Sequence, residues 1–134
     1  MDARKIVNKA LIMVTSQEKV SAFTEVVNCE GNSDRSPSCP NCGAWIKHWH
    51  ALSGETVPAA GDCATLGCEG KTEAGLPAPI VGCHVRIKAA KDQSEYIAPL
   101  CQSCNNKKGA TLTLGRVTTL VRANVSETCG KFII

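Results

Sequence analysis

The sequence predicts a small α+β domain held together by zinc. Three observations carry that reading. The first is a pair of Cys-x-x-Cys knuckles, Cys39-Pro-Asn-Cys42 and Cys101-Gln-Ser-Cys104. A two-residue gap lets both sulfurs of a knuckle grip one ion, and two knuckles supply a closed tetrahedral site. The second is a set of short β-prone runs in the second half of the chain. The third is apolar spacing of helical period at the N-terminus and around Trp45 and Trp49.

Taken in order, Ile6, Val7, Ala10, Leu11 and Val14 recur at helical spacing and predict an N-terminal helix. Val20, Phe23 and Val27 suit a second short helix, while Phe23 to Val27 also suits a strand; the pattern leaves both open. Glu30 to Ser38 carries Gly, Asn, Ser, Asp and Pro and reads as a loop. Ala44 to Leu52 predicts a helix with Trp45, Trp49 and Leu52 on one side. His48 lies next to that side and His50 across from it. At that spacing the two tryptophans read first as core, with base stacking as the alternative.

Gly54 to Pro79 is rich in Gly, Ala and Pro and has no sustained period. A loop of that length is uncommon without a stabiliser, and Cys63 and Cys68 sit inside it. Ile80 to Lys88 and Tyr96 to Leu100 read as strands, with charged Lys91 to Glu95 turning between them. A short helix is expected from Gln102. Leu112, Leu114, Val117, Leu120, Val121 and Val125 predict C-terminal strands, with a hairpin turn at Gly115-Arg116.

Composition bounds the rest. The chain has 134 residues, which suits one domain over residues 1–134. Aromatics are 4% of the chain, so the core is aliphatic and small and gains from a metal. The nine cysteines are an odd number, and two pairs have knuckle spacing, which argues against a disulfide framework. Charged residues interrupt the N-terminal apolar run, so it does not read as a secretory signal. No stretch approaches the ~18 apolar residues of a membrane span. These features together point to a cytoplasmic protein. The formal charge is +3. One zinc held by four thiolates lowers it to about +1, so bulk charge gives little support to nucleic-acid binding.

Two metal sites follow from the ligand inventory. Cys39, Cys42, Cys101 and Cys104 form the first. Cys63, Cys68, His84 and His48, or His50 in its place, form a Cys2His2 second. The alternative is that His48 is a core histidine and that Cys63 and Cys68 are buried thiols. Cys29, Cys83 and Cys129 are left over as buried thiols, with Cys83 also able to replace a ligand. A nucleophile elbow, a phosphate-binding loop before Lys-Ser/Thr, His-Glu-x-x-His and the His-x-Glu of zinc deaminases are all missing.

Gly82-Cys83-His84-Val85, followed by Tyr96-Ile97-Ala98-Pro99-Leu100-Cys101-Gln102-Ser103-Cys104-Asn105-Asn106-Lys107-Lys108, resembles the core of HNH-type endonuclease domains. The likeness covers about residues 39–108. It implies a ββα core of treble-clef type with a structural zinc. It further implies His84 as the general base, Asn105 as a ligand of a catalytic magnesium or manganese ion, and DNA hydrolysis. The chain departs from the family where Cys83 stands in place of an acidic or histidine ligand, and near Tyr96, where an asparagine is expected. A thiol suits a hard cation poorly. The expectation is therefore an HNH-like zinc protein that binds a macromolecular partner, nucleic acid or protein, rather than an enzyme. A metal-dependent endonuclease and a purely structural scaffold are the alternatives. Arg86, Lys88, Lys91, Lys107, Lys108, Arg116 and Arg122 are the candidates for a basic face. The region from Trp45 to the Cys-His-Val strand also resembles small bacterial and phage proteins with two zinc sites.

Overall fold

The structure is a computed structural model and describes residues 17–29, 44–91 and 94–123. The expected N-terminal helix, Cys39, Cys42, Val125 and Cys129 lie outside the described residues. Among the described residues, six strands and two helices follow one another. They are β1 (Gln17–Val20), β2 (Glu25–Asn28), α1 (Trp45–Ser53), β3 (Ile80–Ile87), β4 (Tyr96–Cys101), α2 (Gln102–Asn105), β5 (Thr111–Thr113) and β6 (Thr118–Arg122). The strands form one sheet in the order β1-β6-β4-β3-β2-β5, and every pair is antiparallel.

That order forces the sheet to curl. In a flat sheet β1 and β2 would stand four strand spacings apart, roughly 19 Å. Residues 21–24 join them, and fully extended that link reaches only about 18 Å. It is not extended, because Thr24 N–H donates to the Ser21 carbonyl at 3.3 Å. Residues 114–117 join β5 to β6 under the same constraint. The two links then meet: Phe23 N–H donates to the Leu114 carbonyl at 2.7 Å, and Leu114 N–H to the Thr24 carbonyl at 2.9 Å. Curling also explains a difference from expectation. β5 and β6 do not pair as a hairpin about Gly115-Arg116; β5 pairs with β2 at one edge, and β6 lies between β1 and β4.

Each face of the sheet has its own core. Val20, Val26, Val85, Ala98, Leu112 and Leu120, one from each strand, pack into a single cluster on the concave side. Ala64 and Ala78 of the long loop join them. α1 covers the opposite face, where Trp49 packs with Ile97, Val121 and Ala123. Trp49 is buried, and its Nε1 donates to the Thr119 carbonyl at 2.8 Å. Gly82 permits this docking: a Cβ there would lie 2.6 Å from the Trp45 backbone carbon. Phe23 takes a positive φ of 71° at the turn after β1, a region that bulky residues seldom enter.

Candidate metal centre

Four sulfurs converge where the long loop meets the end of the β3–β4 hairpin. They belong to Cys63, Cys68, Cys101 and Cys104, and all lie within 4.8 Å of one another. Cys63 to Cys104 is 3.8 Å, Cys68 to Cys101 is 3.6 Å and Cys68 to Cys104 is 3.7 Å. A tetrahedral ion with metal–sulfur bonds of about 2.3 Å requires sulfur–sulfur edges of about 3.8 Å. The cluster therefore has the dimensions of a mononuclear thiolate site, and these four cysteines could hold one metal ion.

Each ligand is placed by backbone features that can be named. Cys101 closes β4 opposite Ile80, and Gln102 N–H donates to the Pro79 carbonyl at 3.0 Å, so the corner between β4 and α2 is tied to the start of β3. Cys104 lies in the single turn of α2, whose carbonyls are gripped from outside by Asn28. The loop ligands are fastened to β5 and its exit. Leu66 N–H donates to the Thr113 carbonyl and Gly115 N–H to the Ala64 carbonyl, both at 2.7 Å. Asp62 and Arg116 pair at 2.5 Å beside them. Beyond Cys68, Gly70 has a φ of 67° and crosses the backbone of Gly61.

Backbone amides face two of the four sulfurs. Gly70 N–H donates to Cys68 Sγ and Cys101 N–H donates to Cys63 Sγ, each at 3.3 Å. The hydrogen bond from Cys104 holds the Cys63 thiol well below its usual range, and backbone donation adds to that. Cys104 is pushed up in return, first by that same bond and then by burial. Burial also raises Cys101. A cation bound here would displace the protons these crowded sulfurs carry, which is how metal binding couples to proton release. Cys101 and Cys104 are buried; Cys63 and Cys68 are half-buried.

The arrangement differs from the expected ligand sets. Cys101 and Cys104 stand with Cys63 and Cys68; Cys39 and Cys42, expected as their partners, lie outside the described residues. Cys63 and Cys68 accordingly do not stand with His48 and His84. Those two histidines lie on the α1 side, flanking Trp45. The Trp45 ring meets His48 edge-on at 5.3 Å between centroids and His84 at 4.4 Å. His48 Nε2 lies 2.9 Å from the Arg122 carbonyl; a carbonyl only accepts, so Nε2 carries the proton. Helical phase placed the two histidines of α1 correctly, since His48 is buried and His50 exposed.

Cys83 lies in the concave core, where burial pushes its thiol up to about 12. Asn105 ends α2, and its Oδ1 accepts from Lys108 Nζ at 3.3 Å. Of the candidate basic residues, Arg116 pairs with Asp62 and Lys88 with Glu25. Arg122 lies over the Tyr96 ring.

Two signals in the chain pointed toward the observed cysteine cluster. A long Gly-rich loop needs a stabiliser, and Cys63-Cys68 is the cysteine pair immediately before the hairpin that ends in Cys101. The anchoring role of Asn28 has no local signature at all. Compared with known proteins, the chain matches no family model, no curated protein and no solved structure. Among the described residues, no helix is long and apolar enough to cross a membrane.

Proposed function

We propose that this chain is a zinc protein whose metal is structural and whose work is to bind a macromolecular partner. The observation that carries the reading is the set of sulfur–sulfur distances of 3.6 to 3.8 Å among four cysteines from two distant segments. Zinc suits four thiolates in a tetrahedron, and a site closed by four protein ligands keeps no position for water or substrate. The order of parts supports a treble-clef arrangement. A cysteine pair in a loop precedes a hairpin, and the last two ligands sit at a short helix directly after it.

Binding is preferred to catalysis on the state of His84. A general base must reach the proton it removes. His84 is 2% exposed and meets the Trp45 ring edge-on, on the side of β3 that α1 covers. Cys83, at the position where the HNH resemblance implies a second ligand, is a buried and hard-to-ionise thiol.

Metal analysis of the purified chain tests the first half. One zinc per chain is expected. Cys63→Ser, Cys68→Ser, Cys101→Ser and Cys104→Ser each lose it, and Cys39→Ser and Cys42→Ser keep it. Zinc lost from Cys39→Ser but kept in Cys63→Ser overturns the ligand assignment. Gel shifts at rising salt test the second half. A nucleic-acid partner weakens steeply through counterion release, whereas a protein partner leaves no shift. Plasmid cleavage with magnesium or manganese that vanishes in a folded His84→Ala variant would instead make the chain a nuclease.

A further inference from the structure

We propose that the four-sulfur centre is also an oxidation site, at which the disulfides Cys63–Cys104 and Cys68–Cys101 replace the metal as the staple. The inference rests on the metal reading above and extends it to an oxidant of the peroxide class.

The close sulfur contacts all run between the loop and the corner of β4 and α2. Cys68 and Cys101 are the nearest at 3.6 Å. Taking them as one pair leaves Cys63 and Cys104, themselves 3.8 Å apart, as the other. The pairs must close by roughly 1.6 and 1.8 Å to reach disulfide length. That is a small side-chain movement once the ion no longer holds the sulfurs apart. The result connects the same two segments that the metal connects.

Exposure orders the chemistry. Cys63 and Cys68 are half-buried, whereas Cys101 and Cys104 are buried. Peroxide therefore meets the loop sulfurs first. A loop thiolate attacks one peroxide oxygen, the O–O bond breaks, and sulfenic acid and hydroxide form. The buried partner thiolate then attacks the sulfenic sulfur, the S–S bond forms and a second hydroxide leaves. Each disulfide consumes one peroxide and two protons and yields two waters. Two disulfides account for all four thiolates and release the ion. Cys83 is buried in the core outside the four-sulfur group and stays a thiol.

This differs from the usual fate of a zinc site, in which oxidation removes the staple and frees the loop. Here the fold outlives the metal, because the cross-links span the same gap. Residues 54–79 remain fastened to the hairpin in both states.

The test uses the full zinc-loaded chain and hydrogen peroxide at a few equivalents. A chromophoric chelator follows released zinc. Mass spectrometry of the tryptic digest without reductant, with fragmentation that cleaves S–S bonds, follows the pairing. The expected result is one zinc released per chain and a loss of four hydrogens. The peptide holding Cys63 and Cys68 is joined twice to the one holding Cys101 and Cys104, in the stated pairs. The oxidised chain keeps its circular dichroism and a cooperative melt, and reductant with added zinc restores the starting form. Zinc release with disulfides inside either peptide, with sulfinic or sulfonic products, or with loss of fold overturns this inference and leaves the zinc reading standing. A chain that neither contains nor takes up zinc defeats the zinc reading, and this inference falls with it.

Discussion

The side-chain amide of Asn28 donates to the carbonyl of Cys104 at 3.0 Å, bridging residues 76 apart in the chain. The same nitrogen donates to the Asn105 carbonyl, also at 3.0 Å. α2 is a single turn, so its carbonyls have few partners within the helix. Asn28 is fully buried at the end of β2 and supplies what the helix lacks. The end of β2, a strand paired on both sides, thereby sets the height of a candidate metal ligand.

Asn28→Asp replaces that donor with an acceptor facing two carbonyls. A buried unsatisfied or repelled polar group costs about 1–3 kcal/mol, more when charged. The variant should unfold about 2–4 kcal/mol more easily in urea and lose zinc to a competing chelator several-fold faster. A variant with unchanged stability and zinc release would show that α2 is held by the metal alone.

Gly70 carries a second constraint. A Cβ there would lie 2.1 Å from the Gly61 carbonyl oxygen, and its φ is 67°. Both backbones are tied, since Gly61 N–H donates to the Ala78 carbonyl and Ala78 N–H to that of Gly70. Gly70→Ala must therefore move the loop crossing that supports Cys68. The expected cost is about 2–4 kcal/mol, above the ordinary penalty for alanine at positive φ. Zinc affinity should fall with it, as read by chelator competition. Gly75→Ala is the control, since its φ of 82° gives a similar backbone strain with no atom within 4 Å of its Cβ.

Gly82→Ala tests the other face. Its Cβ would lie 2.6 Å from both the backbone carbon and the Cβ of Trp45. α1 must lift from β3, at a cost of about 1–3 kcal/mol for overpacking. Tryptophan fluorescence should shift to the red as Trp45 and Trp49 gain water. Zinc content should stay at the wild-type value, because the four sulfurs belong to the long loop and to the corner of β4 and α2, not to α1. Loss of zinc in this variant would mean that the two cores do not act independently.

These positions show which parts of the molecule local sequence encodes. α1, β3, β4 and the start of α2 were legible because each has its own period or bounding residues. Trp45, Trp49 and Leu52 mark one helical face, and charged Lys91 to Glu95 separates two β-prone runs. The partners of β5 and β6 were not legible. Strand propensity says that Leu112 and Leu120 prefer a sheet, but the curl decides which strand lies beside each. The candidate metal site was half legible for a similar reason. Spacing identifies a cysteine pair as a half-site, while the choice of its other half depends on where the loop folds. Asn28 and Gly70 act through contacts with residues distant in sequence or folded back on themselves, and no short-range pattern reports them.

His48 gives the fold a pH dependence of definite sign. Burial holds its imidazole below the ordinary value, and the bond to the Arg122 carbonyl opposes that only in part. The folded chain therefore keeps His48 neutral at a pH where the unfolded chain already binds a proton. Stability from this group is complete above about pH 6.5, the ordinary histidine value. It declines as pH falls from there to the lowered folded value, with a slope of at most about 1.4 kcal/mol per pH unit. Thiolate ligands also pick up protons in acid, so the comparison must cancel the metal contribution. His48→Gln retains an amide donor for Arg122 and removes the titration. Urea unfolding of both proteins, zinc-loaded, at pH 7.5, 6.5 and 5.5 should show the wild type losing more stability than His48→Gln across the lower interval. Parallel losses would place the acid sensitivity wholly in the four sulfurs and leave His48 as a neutral packing group.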